Sequence, residues 1–402
     1  MKITFFNPYF QTLGGGEKVL VAMAERLSQK HEVTVLVKQP VDVPHVERYF
    51  NVDLSRVTFT PLPRESFLVR AMTSRYAKFP GRWKSLIYDY AGLRNLKKMP
   101  IDLFINSLYQ SSLPNPAPEG LYLCMFPQKL EPGNIYHNAV RRLYNRFTTR
   151  LEAHFLGSRA QAIASYTMVA ANSRYTAGWV KKYWGRPAKI LYPVCDDMGP
   201  AGKKKNIILN VGRFFADNGS SHHKRQDELI KAFIRLNRPD CEFHLAGSAA
   251  SDPASQDYLQ GLRALAKGHK NVVIHTNISY AAITKLYREA TVYWHATGYG
   301  YSGEIFPENQ EHFGMSTVEA MSAGAVPVVF KSAGQLEVVE DNKSGLLWED
   351  LDQLAVYTAK VLDDAKLRHK LAAQATMQAR KFGRDAFFKR VDDLILEIEH
   401  AK

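Results

Sequence analysis

An apolar run at residues 3–6, a glycine-rich turn at residues 7–16, a helical pattern over residues 17–28 and a second apolar run at residues 33–37 follow one another directly. Val19, Leu20, Met23 and Leu27 fall on one face of that helix, and both runs read as buried strands. Strand, loop, helix and strand in this order open a parallel sheet. Further strands are expected at residues 103–105, 121–125 and 168–170. After Pro193 the pattern restarts, with a strand at 207–211 and a helix at 226–236. Strands at 242–246, 272–275, 292–295 and 326–330 then alternate with helical segments. A chain of 402 residues exceeds one ordinary core. The expected fold class is therefore α/β, with two doubly wound, Rossmann-like domains at residues 1–196 and 207–380, joined by a polar linker at 197–206. Residues 381–402 are expected to form a C-terminal helix packing back on the N-terminal domain. Two such domains would face across a cleft at the carboxyl ends of their strands, where ligands bind in open α/β sheets.

Composition narrows the classes. Cys124, Cys195 and Cys241 are odd in number, far apart and without CxxC spacing, which argues against a disulfide framework or a zinc site and suits a reducing cytosol. The first residues, MKITFFNPYF, lack the apolar core of a signal peptide, and no run approaches the roughly 18 residues of a membrane span. A cytoplasmic location is expected. Nearly all of the +14 net charge belongs to the first half, where residues 1–200 carry 27 Lys and Arg against 14 Asp and Glu. Residues 64–98 alone hold nine basic and two acidic residues interleaved with Phe67, Phe79, Trp83, Ile87 and Tyr88. Arg141, Arg142, Arg146 and Arg150 cluster along one helical face. An ordinary solvated surface, an anionic membrane patch and a nucleic-acid footprint all fit these charges. Aromatic rings beside arginines favour the membrane face, so peripheral contact with anionic lipid is expected and nucleic acid is not.

The stretch 311–327, EHFGMSTVEAMSAGAVP, carries the most chemistry. Glu311 and Glu319 flank the loop Phe313-Gly314-Met315, and a helix is expected from Ser316. Gly314 permits a tight turn that brings backbone N–H groups to a ligand. The helix start, capped by Ser316, favours an anion such as phosphate. Carboxylates beside it suit sugar hydroxyls, which together describe a pocket for a phosphorylated sugar. Ser316 to Glu319 is equally a capping box, in which Glu319 only returns a bond to its own helix.

Two further loops would meet such a ligand. Gly14-Gly15-Gly16-Glu17 follows the first strand and exposes backbone to phosphate, or serves chain geometry alone. Arg213 follows strand 207–211 and Lys224 precedes the next helix. An arginine fork and a lysine charge are the usual partners of a diphosphate, and two solvated surface charges are the plain alternative. The loop between them is long for its place and reads as functional. Asp350 and Asp352 sit where a helix N-cap belongs. His222 and His223 are adjacent and poorly placed to share an ion, so no metal is expected. His295 ends a predicted strand, either bordering the cleft or buried for structure.

These features together resemble the retaining glycosyltransferases of family 4, which have the GT-B fold. The resemblance rests on Gly14-Gly15-Gly16-Glu17, ANSRYT at 171–176, LYPVCD at 191–196, VGRF at 211–214 with Lys224, the Glu311/Glu319 pair, and GQLEVVEDNKSGLLW after it. It is similar in part to the α-1,2-mannosyltransferases that extend dolichol-linked oligosaccharides, and in its WHATGYG insert to bacterial glycan-assembly members. The resemblance implies that Arg213 and Lys224 bind the donor diphosphate and Glu319 the ribose. It implies that Glu311 and the backbone of Phe313, Gly314 and Met315 hold the donor sugar, and that Gly15 and Gly16 approach the diphosphate from the other domain. It implies no cofactor beyond the nucleotide diphosphate sugar, no metal, and a lipid-linked or growing glycan acceptor. Many relatives carry a His two residues before a proline near the sugar; here Met125 stands there. A nucleotide-sugar epimerase and a silent glycan- or nucleic-acid-binding protein are the rival readings.

Overall fold

The computed structural model describes residues 1–8, 10, 13–62, 92–109, 111–130, 143, 147, 150, 153–154, 157–216 and 223–400. The basic stretch 64–98 lies outside the described residues up to 91, as do Arg141, Arg142, Arg146 and His222. Two compact units are present, one of Met1–Leu191 with Phe388–Lys402 and one of Tyr192–Phe387.

Among the described residues the first unit is built on β1 (Lys2–Phe6), β2 (Glu32–Val37), β3 (Val57–Pro61), β4 (Leu103–Asn106), β5 (Glu119–Cys124), β6 (Met168–Ala171) and β7 (Lys189–Ile190). They form one parallel sheet in the order β3-β2-β1-β4-β5-β6-β7. The order reverses beside β1, so the loop leaving β1 lies at the switch point of the sheet. The helix Gly15–Ser28 starts there. At the other end of the unit, Arg26 pairs with Asp392 at 2.5 Å and Lys189 with Glu397 at 2.6 Å, tying the C-terminal helix to this sheet.

The second unit repeats the plan with β8 (Lys205–Val211), β9 (Glu242–Gly247), β10 (Val272–Thr276), β11 (Ala290–His295), β12 (Val326–Phe330) and β13 (Leu346–Trp348). Their order is β10-β9-β8-β11-β12-β13, again all parallel. The switch point falls between β8 and β11. Every residue of β11 is buried, as a strand covered on both faces requires. Alternate side chains serve two layers. Val292 and Trp294 join Phe233 and Phe243 in one core, and Tyr293 joins Tyr287, Phe313 and Met321 in the other. Trp294 is fully buried, and its Nε1 donates to Thr358 Oγ1 at 2.8 Å.

Residues 197–206 differ from the expected linker. Met198 is buried in the second core, and Lys204 Nζ donates to the carbonyls of Ala290 and Ala323, both at 2.8 Å. Burial lowers this amine to about 8. The polar composition hides the anchoring made by a buried methionine side chain and a lysine ammonium.

Candidate active site

The site of the second unit is assembled at the switch point. Gly212 leaves β8 with its N–H on the Ala246 carbonyl at 2.9 Å. A Cβ at Gly212 would come within 2.9 Å of Lys224 Cγ, so the missing side chain makes room for the lysine stem. Gln226, fully buried at the head of the helix Gln226–Leu236, donates from Nε2 to the carbonyls of Gly212 and Arg213, both at 3.3 Å. The backbone of Arg213 is thereby fixed, while its side chain is exposed and lies 5.4 Å from the Phe215 ring centroid. Residues 217–222 of the loop between them lie outside the described residues.

Lys224 and Glu311 meet. Lys224 Nζ lies 2.7 Å from Glu311 Oε2, with side-chain exposures of 19% and 15%. His295, at the end of β11, places Nε2 2.9 Å from the same oxygen. The sequence allows His295 to be a cleft residue or a structural one; it is both buried, at 1%, and bonded to the site. Burial lowers its imidazole below the ordinary value, and the bond and charge of Glu311 oppose that shift.

Gly314 corrects the expected helix start. The helix spans Met315–Ser322, and its N-cap is Gly314 at φ 107°, a conformation glycine alone adopts without strain. Ser316 is inside the first turn and does not cap. Its Oγ instead accepts from Tyr293 Oη at 2.7 Å. Nor does the capping box form, because no side chain caps this helix. Glu319 Oε2 accepts from the buried Tyr287 hydroxyl at 3.0 Å. Thr317 and Val318 return their N–H groups to the Gly314 carbonyl. Met315 and Ser316 stand before any intrahelical acceptor, so their amides open toward an anion. The Phe313 ring is core, 2% exposed and packed 5.5 Å from Tyr192 and 5.2 Å from Phe382. Only its backbone is available to a ligand.

Gly15 and Gly16 belong to the first unit and open the helix Gly15–Ser28 behind the N-cap Gly14. Glu17 Oε2 accepts from the Gly14 N–H at 2.8 Å and Oε1 from Asn7 Nδ2 at 3.1 Å. Met125 borders this turn: a Cβ on Gly16 would lie 3.6 Å from its Cε, and its carbonyl accepts from Thr176 Oγ1 at 3.3 Å. Thr176 and the helix cap Ser173 belong to the ANSRYT segment, which therefore fixes the Met125 backbone. Asp350 caps the helix Leu351–Asp363 through Gln353 N at 2.8 Å. Among the described residues no three acidic, histidine or cysteine side chains gather to hold a metal.

Sequence reading did not find Tyr287, Tyr293 or the tie of His295 to Glu311. The signal for the last was a histidine closing a strand otherwise wholly suited to the core.

Residues 197–378 match the family "Glycosyl transferases group 1". A Mus musculus GDP-Man:Man(3)GlcNAc(2)-PP-Dol alpha-1,2-mannosyltransferase is 26% identical over 454 residues, covering 98% of this chain and 85% of its own. The Dictyostelium discoideum protein of the same name is 25% identical over 90% of this chain and 78% of its own. Among solved structures, Anabaena HepE in complex with UDP and glucose superposes with a TM-score of 0.65 at 17% identity, covering 98% and 99% of the two chains. WaaG, a glycosyltransferase involved in lipopolysaccharide biosynthesis, gives the same TM-score, identity and coverage. Residues 197–378 are a group 1 glycosyltransferase domain, and the chain has the GT-B fold of these solved structures.

Proposed function

We propose that this chain transfers a hexosyl group, of mannose type, from a nucleoside diphosphate sugar to a lipid-linked or growing glycan, with retention of anomeric configuration and without a metal. The observation that carries the reading is the meeting of Lys224 and Glu311 at 2.7 Å, four residues before a helix start at Met315 that no side chain caps. Charge that develops on the leaving diphosphate is met by Arg213, Lys224 and the two open amides, an electrostatic stabilisation placed where the charge appears. Glu311 and the Phe313-Gly314-Met315 backbone take the sugar, and Glu319, steadied by Tyr287, takes the ribose. Gly15 and Gly16 present backbone to the diphosphate. The mouse and Dictyostelium relatives are named for a GDP-mannose donor and a dolichyl-diphosphate-linked acceptor, which supports the mannosyl donor and lipid-linked acceptor. Arg213, Lys224 and the paired Glu311 and Glu319 weigh against a silent protein.

Calorimetry of GDP, UDP, ADP and dTDP in chelator, repeated with Arg213→Ala, tests the donor site. Selective binding of one nucleotide, lost in the variant, is expected; unchanged binding or turnover in the variant would sink the assignment. Among the described residues no helix is long and apolar enough to cross a membrane. The +13 excess of residues 1–200 supports peripheral contact with anionic lipid at the cytoplasmic face. Vesicle flotation tests this, and binding indifferent to lipid charge counts against it.

A further inference from the structure

Two donors converge on one oxygen of Glu311. Lys224 Nζ reaches Oε2 at 2.7 Å and His295 Nε2 at 2.9 Å. They differ in what else they can do. Lys224 ends a flexible stem, is partly exposed, and has three ammonium hydrogens, so it can offer one to a phosphate. His295 closes a wholly buried strand and has nowhere to go.

The ring's hydrogen-bonding fixes its protonation. Nδ1 is buried without a hydrogen-bond partner among the described residues. A proton there would be a buried, unpaired donor, and Nε2 would turn a lone pair on a carboxylate. The neutral ring with its proton on Nε2 avoids both penalties. Thr297 Oγ1, 3.2 Å from Nε2, lies close enough to share that proton. An apolar side chain would fill the strand end without an unpartnered nitrogen, so what the histidine adds at this position is its Nε2 bond.

We propose that His295 is a positioning residue: it holds the Glu311 carboxylate toward the donor sugar through Nε2–H while Lys224 engages the diphosphate. This rests on the donor-site reading of Glu311. His295→Leu removes the donor. His295→Gln keeps an N–H near the Nε2 position, and His295→Asn stops short of it. The readout is nucleotide release from GDP-mannose, or from UDP-glucose if the wild type binds UDP, alongside calorimetric affinity for the nucleoside diphosphate alone. In His295→Leu, kcat should fall by roughly 10–100-fold, the scale of a misplaced catalytic contact, with nucleotide affinity unchanged. His295→Gln should recover most of the rate. Full kcat in His295→Leu overturns the proposal, as does equal impairment of the Leu and Gln variants with affinity intact. If the Leu variant fails to fold, the Gln and Asn variants decide, and equal rates in those two overturn it. Glu311→Gln is run in parallel. Normal turnover there removes the sugar-binding role of Glu311 itself, whereas impaired Glu311→Gln beside normal His295→Leu removes only the role of His295.

Discussion

The hydroxyl of Tyr287 donates to Glu319 Oε2 across 3.0 Å, from a side chain that is 1% exposed. Burial, with the charge of Glu319 behind it, pushes this phenol far above its ordinary range, so the proton stays on the tyrosine and the carboxylate stays an acceptor. Tyr287→Phe keeps the packing and deletes the donor. The net worth of a hydrogen bond to a charged group is about 1.5–3 kcal/mol. Nucleoside diphosphate affinity should therefore fall by roughly 10–100-fold, with kcat at saturation nearly unchanged. Calorimetry checks this, and wild-type affinity would separate Glu319 from ribose binding.

Gly314 makes a second prediction. At φ 107° an added Cβ would stand 2.4 Å from Gln335 Nε2. That amide is buried and donates to Thr317 Oγ1 at 3.1 Å, so it cannot swing away freely. Backbone strain alone costs roughly 1–3 kcal/mol, and the collision adds to it. Gly185 provides the control, since at φ 68° it meets nothing within 4 Å. Thermal unfolding should show Gly314→Ala losing clearly more stability than Gly185→Ala. Only the former should lose nucleotide binding.

Strand signals are most legible where burial is uniform, and helix signals where buried and exposed residues alternate at helical spacing. Residues 326–330 and 226–236 match observed elements at both ends, and residues 292–295 miss only the first two residues of β11. The apolar runs of a doubly covered parallel sheet need no tertiary knowledge to see. The helix at Met315 was harder, because Ser316 reads as a cap in sequence and the chain used a left-handed glycine instead. The carboxylate pair was visible from its motif, but its partners were not. Tyr287 and Glu319 are 32 residues apart, and His295 reaches Glu311 across an irregular insert. Such bonds depend on which layer of the sheet each element packs against, and a single sequence does not display that.

Acid should act on His295. Its imidazole lies below the ordinary 6.5 because burial disfavours the cation. Glu311 and Lys224 are the charged groups that face it, and they act in opposite senses. As pH falls below 6.5 the unfolded chain takes up this proton while the folded chain does not, so stability declines until the folded pKa is reached. His295→Gln has no such group. Denaturant unfolding across pH 7.5 to 5 should show a stability difference between wild type and variant that shifts against the wild type as pH drops. A pH-independent difference would mean the histidine titrates as it does in water.

Gly16 separates chain geometry from ligand approach. Its position lies near the start of the helix Gly15–Ser28. An added Cβ would rest 3.6 Å from Met125 Cε, an ordinary contact with a flexible side chain. Alanine in a helix is favoured over glycine by roughly 0.5–1 kcal/mol. Gly16→Ala should thus keep or raise the melting temperature. If the glycine exists to let a diphosphate reach the backbone, the same variant should lose donor turnover by an order of magnitude or more. Stability and activity then move in opposite directions. Thermal unfolding and nucleotide release measured on one preparation decide it, and a variant both stable and fully active would assign Gly16 to the turn alone.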